Sequence, residues 1–396
     1  MRLTSRQLND IKRKYNVKEL WSWSRINAWH TSKYLWKLHY IDKIKPDNDN
    51  SIYGEIGGRC HDIIEKLYNG EIEEKDMYEE FDSEWITIRD ILEMKFDRND
   101  ISKDENISSK YHYDISSFFK NYKKLDVRMK TEQFVPIQIS KDIVLQGYID
   151  ALYKDENGIY NIIDWKTSTI YKGEKRNNEA GQLILYAYSL MLKGVPIENI
   201  KVCWCFLKYV SVEYKQANGK IKRRTIERSE FGDKMKTTVK SKLKKLGLSG
   251  EEIENYLIKL CKNNSLDGLP DEVKDSISVD DCYEYVDINE DIINKWIKYV
   301  KDTVSEIDET IEKYNKTKDD KLFYDSDEHI KKNEYFLSVL SGYSIELNKC
   351  YKNYLERKEH ESDLLYTVET VNEEPPSKSK KDDFDLDEIL KGILDD

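Results

Sequence analysis

The run from Ile200 to Val210, Ile-Lys-Val-Cys-Trp-Cys-Phe-Leu-Lys-Tyr-Val, constrains the fold most. It has the length of a strand and is almost continuously apolar, as expected of a strand covered on both faces. The segments before it supply the rest of a sheet. Gln133–Ile139 alternates as a strand, and Ile143–Tyr153 is a second one. Lys154–Gly158 closes in Asn-Gly, a strong signal for a tight turn, and Ile159–Thr167 is a third strand. Gly181–Lys193 returns to helical spacing before the buried strand. The order is therefore helix, three strands, helix, strand: an α/β core on a mixed sheet.

Residues 1–70 and 75–127 read as helices that precede this core. Ile63, Ile64, Leu67 and Tyr68 mark one apolar face, and Phe81, Trp85, Ile88 and Leu92 another. After the core, Val212–Glu227 reads as a basic hairpin around Asn218-Gly219, and 231–262 as lysine-rich helix. Ile293, Trp296, Ile297, Val300, Val304, Ile307 and Ile311 mark a long amphipathic helix, and a further helix is expected over Asn333–Arg357. The expected divisions are a helical region 1–127, a core 128–210, a basic hairpin with helices packed on the core over 211–365, and a disordered acidic tail 366–396.

Two strands of the core carry charge where a strand should be half buried. Gln146-Gly-Tyr-Ile-Asp150 lies on one, and Ile162-Ile-Asp-Trp-Lys-Thr-Ser168 on the next. Asp164 and Lys166 are two apart on a strand, so they point to one face, and Asp150 on the neighbouring strand can reach the same place. Two converging carboxylates suit Mg²⁺ or Mn²⁺. Such an ion polarises a phosphate and acidifies a bound water. A lysine beside it stabilises charge that develops on phosphorus. A lone Asp-x-Lys recurs by chance in a chain this rich in both residues. This one follows an apolar pair, where unpaired charge is costly. On the following helix, Gln182 and Tyr186 share a face; they either edge the core or orient the lysine. Gly57-Gly-Arg-Cys-His61 offers an imidazole, as a structural residue or as a metal ligand.

His61, Gly147-Tyr-Ile-Asp150, Asp164-Trp-Lys166 and Gln182-x-x-x-Tyr186 together resemble the RecB-type branch of the PD-(D/E)XK nuclease superfamily, over about residues 20–210. That branch includes RecB and AddB nuclease domains, CRISPR-associated relatives and many phage exonucleases. The resemblance implies a restriction-endonuclease-like α-β-β-β-α-β core with large helical additions. It implies that His61, Asp150, Asp164 and the backbone carbonyl of Trp165 hold Mg²⁺ or Mn²⁺. Lys166 would be the catalytic lysine, Gln182 and Tyr186 an accessory pair, and Glu132 a further acidic helper. Several relatives carry an iron–sulfur cluster, with one cysteine before the core and three after it. Here the pre-core region Ser22–Ile41 has no cysteine, and near the C-terminus only Cys350 stands where a set is expected. No cluster is expected.

The formal net charge of -11 argues against a chain that coats DNA with its whole surface. Basic residues nevertheless crowd between Lys215 and Lys245. Lys220, Lys222, Arg223, Arg224 and Arg228 are candidate DNA contacts on one wall of a channel, and the alternative is an exposed lysine-rich helix without a partner. None of the six cysteines forms a C-x-x-C pair, and Cys203 and Cys205 fit one face of a strand better than a metal site. Free thiols, no membrane-length apolar run and no signal-type N-terminus point to the cytoplasm, which the resemblance places in a bacterial or phage-infected cell. Leu386, Ile389, Leu390 and Ile393 fall on one face of the acidic tail. The tail could dock a replication or recombination protein, mimic DNA, or simply solubilise. The leading expectation is a metal-dependent DNA exonuclease of recombination, repair or replication. The alternatives are a DNA-binding subunit of the same fold inside a helicase or recombination complex, and a nuclease acting on RNA.

Overall fold

The computed structural model describes residues 3–46, 51–216 and 218–369, and over 361–369 only the backbone. The expected tail segment lies outside the described residues. Six helices surround the first short strand and lead into the sheet: α1 Ser5–Tyr15, β1 Trp21–Ser22, α2 Trp23–Thr31, α3 Lys33–Tyr40, α4 Ile52–Asn69, α5 Met77–Ile86 and α6 Ile101–Asn121. The core follows as β2 Lys130–Gln138, β3 Val144–Lys154, β4 Tyr160–Lys166, α7 Gly173–Met191 and β5 Ile200–Lys215. The chain then adds β6 Ile221–Glu227, α8 Phe231–Lys245, α9 Gly250–Asn263, α10 Asp271–Lys274, β7 Ile277–Val286, α11 Glu290–Thr317, α12 Asp327–Lys332 and α13 Lys349–Glu369. No helix among the described residues is long and apolar enough to cross a membrane.

The seven strands form one mixed sheet. β3 is antiparallel to β2 and β4, and β4 is parallel to β5. The β3–β4 turn forms where expected: Gly158 takes φ +84°, and Asp155 Oδ1 accepts from the backbone N–H groups of Asn157 and Ile159. Alternation along the strands divides the interior. Val202, Trp204 and Phe206 of β5 face a core built with Trp29, Trp36 and Leu183. Cys203, Cys205 and Leu207 face the other side, against Ile56, Cys60, Ile63 and Phe118 of α4 and α6. The two cysteines thus pack on one sheet face, and β5 is covered on both, as its apolar run requires.

Several elements depart from the sequence reading. β5 runs on five residues past Val210 and becomes one arm of the basic hairpin, its register set by Lys215 opposite Ile221. α7 starts at Gly173, ahead of the expected Gly181: its first two turns, Gly-Glu-Lys-Arg-Asn-Asn-Glu, are helical but carry no apolar stripe to mark them in the sequence. The helix expected over Asn333–Arg357 breaks at Ser341-Gly342, where Gly342 takes φ +73° and Asn348 Oδ1 accepts from Tyr351 N–H to start α13. β7 was not foreseen; Asp280-Asp281 hides its alternation. It pairs along the outer edge of β5, with a shift in register between Cys205 and Val210.

Candidate active site

β3 and β4 pair only from Ala151 to Lys154 on β3, then part. β1 takes the vacated edge of β3 at Leu145 and Gln146. The residues between, Gly147 to Asp150, line a split in the sheet. Asp150 bridges it: its Oδ2 accepts from the Trp165 backbone N–H at 3.0 Å. On the other edge, the pairs Thr131–Ala151 and Gln133–Ile149 flank Glu132 and Asp150, which therefore stand opposite one another. Glu132 sits at φ +46°, a left-handed conformation that costs a side-chain-bearing residue about 1 kcal/mol or more. Two like charges directly across a ladder also oppose each other.

α4 brings His61 to the same place. Its close neighbour Gly57 leaves 3.5 Å between an added Cβ and Thr167 Oγ1, so helix and strand end are in contact. His61 Nε2 donates to the Trp165 carbonyl at 2.9 Å, and its Nδ1 is 3.6 Å from Asp150 Oδ2. The donor atoms of His61, Glu132 and Asp150 all lie within 4.8 Å of one another. One imidazole nitrogen, two carboxylates and an adjacent carbonyl suit a divalent ion such as Mn²⁺ or Mg²⁺. The Asp150 carboxyl is pushed up to about 7, first by burial and then by Asp164, with His61, Lys166 and the Trp165 N–H pulling the other way. A buried acid held so far above its usual range gains from a nearby cation.

Asp164 is 3% exposed and lies outside that three-residue group. Its Oδ2 forms a close ion pair with Lys166 Nζ at 2.5 Å. Burial works to lower the Lys166 pKa but is outweighed by Asp164, Tyr171 and Asp150, so the ammonium stays charged.

On α7, Gln182 Nε2 donates to the Tyr186 hydroxyl at 2.9 Å, which donates to the Tyr148 carbonyl at 2.7 Å. The pair therefore holds the Gly147–Asp150 strand in place. No hydrogen bond joins either residue to Lys166 among the described residues. Gly147 has a direct reason: a Cβ there would stand 2.6 Å from the Tyr186 ring. Glu179, three residues before Gln182 on the same face, was missed. Burial raises its pKa, and Lys166 and Lys175 draw it down. Its signal was the i, i+3, i+7 spacing with Gln182 and Tyr186. A cleft of about 600 Å³ opens onto the site, lined among others by Leu3, Leu8 and Gln146–Tyr148.

The candidate DNA contacts fare unevenly. Lys220 and Lys222 are exposed on the hairpin. Arg223 pairs with Glu213 at 2.5 Å, and Arg224 donates to the Lys234 carbonyl at 3.0 Å. Arg228 does not fit a DNA contact: it is 5% exposed and its guanidinium donates inward to the Leu207 carbonyl and Asp281.

The PD-(D/E)XK nuclease superfamily model matches residues 20–264. The match covers well over half of the chain, and the chain belongs to that superfamily of metal-dependent, phosphodiester-hydrolysing nucleases. Its mixed sheet with helices on both faces is the corresponding restriction-endonuclease-like core. Membership implies that it uses a divalent metal and binds DNA. No curated protein matches the chain.

Proposed function

We propose that this chain is a DNA exonuclease of the RecB-type branch, using Mg²⁺ or Mn²⁺ in recombination, repair or replication. The observation that carries this reading is the convergence of His61, Glu132, Asp150 and the Trp165 carbonyl at the split between β3 and β4, with the Lys166–Asp164 pair alongside. His61, Asp150, Asp164 and the Trp165 carbonyl would hold the ion, with Glu132 in reach. When bound, it would polarise a phosphoryl oxygen and acidify a water. Lys166 keeps its proton and presents positive charge where the attacked phosphate gains negative charge. Asp164 fixes the lysine's position. Tyr186 and Gln182 hold the Gly147–Asp150 strand, so Asp150 keeps its place across the split. Lys220, Lys222 and Arg223 are taken as backbone contacts on the strength of their exposure on the hairpin, and the half-buried Arg224 as a fourth beside them. All six cysteines are free, which accords with a cytoplasmic setting.

The test is cutting of end-labelled linear and closed circular DNA, single- and double-stranded, with Mg²⁺, Mn²⁺ or EDTA. Lys166→Ala should lower the rate by about 10²-fold or more. Metal-dependent loss of linear DNA alone supports the exonuclease. Cutting of circles makes it an endonuclease at the same site. Wild type inert with every metal would favour a binding subunit that works within a larger assembly.

A further inference from the structure

The β5–β6 hairpin and α8 enclose a second cleft, of about 440 Å³, in the part of the molecule built on a third core of Val210, Val212, Phe231 and Met235. Four lysines from three elements converge on it: Lys215, Lys222, Lys242 and Lys245. None of the four has a carboxylate at ion-pair distance among the described residues. Glu272 is the one acid among the described lining residues. Thr238 adds a hydroxyl that donates to Tyr214 at 3.2 Å. Between Lys215 and Lys245 the chain has twelve basic residues and three acidic ones, against a net charge of -11 overall. Two groups inside are shifted by burial, by hydrogen bonds and by the neighbouring positive charge. Burial and then Lys245 push the Lys242 ammonium down, and the Tyr214 phenol is lowered despite burial by Thr238 and by nearby Arg224 and Lys222.

We propose that this cleft is a second DNA-backbone site, which grips the phosphodiester chain away from the bond being cut. The proposal rests on the nuclease reading above. Lys242 Nζ donates to the Ser276 carbonyl at 3.2 Å, but none of the four charges is neutralised by a carboxylate among the described residues, and lysines beside hydroxyls suit phosphate oxygens, which accept from both. The connection to the active site favours DNA over a small anion. Phe206 of β5 pairs with Lys166, and Lys215 lies nine residues further along the same strand. At about 3.3 Å per residue that is at most about 30 Å, or about nine base pairs of a duplex rising 3.4 Å each. One DNA molecule can therefore span both sites, and a small anion has no use for the distance.

The experiment measures binding of labelled duplexes of 6 to 30 base pairs by fluorescence anisotropy, in EDTA, across a salt series. Lys215, Lys222 and Lys245 are exposed and are replaced together by Gln. Lys236, Lys240 and Lys244, exposed on α8 outside the cleft, are replaced by Gln as the matched control. For the 30-mer, the cleft variant should bind at least tenfold more weakly. Its slope of log affinity against log salt should be shallower by about 2 to 3, at about 0.9 for each phosphate no longer neutralised. It should also lack the gain in affinity that the wild type shows beyond about ten base pairs. Equal effects of both triples, or none, would overturn the proposal. A readout that needs no variant is photocrosslinking of the wild type to DNA: adducts should map to 214–222 and 237–246, and adducts confined elsewhere would overturn it. If the wild type cuts no DNA with any metal while the cleft triple still weakens binding, the nuclease reading falls and the cleft stands. Cutting with no difference between the triples gives the reverse.

Discussion

At Gly147 a single added methyl would meet the Tyr186 ring at 2.6 Å, so this strand position has room for nothing larger than glycine. The same economy governs Asp150, whose carboxyl is held at about 7 by burial and by Asp164. An ion held by Asp150, as proposed, would have to displace its proton. Apparent Mn²⁺ affinity should thus rise about tenfold from pH 6 to pH 8, as one proton with that pKa ceases to compete. Calorimetry on the wild type in the absence of DNA checks it, and a flat profile would remove Asp150 from the ligand set. The metal-free protein should show the opposite trend. Between about pH 4 and 7 the folded chain keeps a proton that the unfolded chain has released, so this residue makes stability fall as pH rises through that window.

Strand β2 stores its strain at one residue. Glu132 takes φ +46° opposite Asp150, in a ladder otherwise in regular register. Glu132→Gly removes the left-handed penalty and one of the two facing carboxylates. The metal-free melting temperature should rise or hold, while the rise produced by saturating Mn²⁺ shrinks by more than half. A variant whose metal response matches the wild type would show that the backbone, and not the carboxylate, sets this conformation. The paired elements β3 and β4 behave differently. They need no strain, because the Asn157-Gly158 turn sets their register and their parting at Asp150 opens the site.

Across the whole molecule, stability is divided among three cores, two on the faces of the central sheet and one beneath α8 and α9. The third joins the rest through the strands β5 and β7, through Arg228, and through Asp114, which is fully buried and accepts from Ser229 N–H. Burial pushes that carboxyl up to about 7. A unit so attached should open by itself. Native-state hydrogen exchange should release amides of α8 and α9 at lower free energy than those of β3, β4 and the first half of β5. Equal protection throughout would mean that the added module and the catalytic core unfold as one.

Much of this was legible in the chain, because local rules governed it. The apolar run from Ile200 required a strand with two covered faces. Asn157-Gly158 required a tight turn, and that turn placed Asp150 beside Asp164 and Lys166. Helical spacing put Gln182 and Tyr186 on one face. What local rules could not convey was which groups from distant segments meet. Glu132 faces Asp150 only through strand register. Gln182 and Tyr186 hold a strand instead of touching the lysine, because Gly147 admits the ring. Arg228, one basic residue among many in the sequence, is taken inward by Leu207 and Asp281. β7 was hidden because its acidic pair obscures alternation until β5 is there to pair with it. Backbone periodicity is a property of neighbours in the chain, whereas burial, strain and charge pairing depend on what folding brings alongside them.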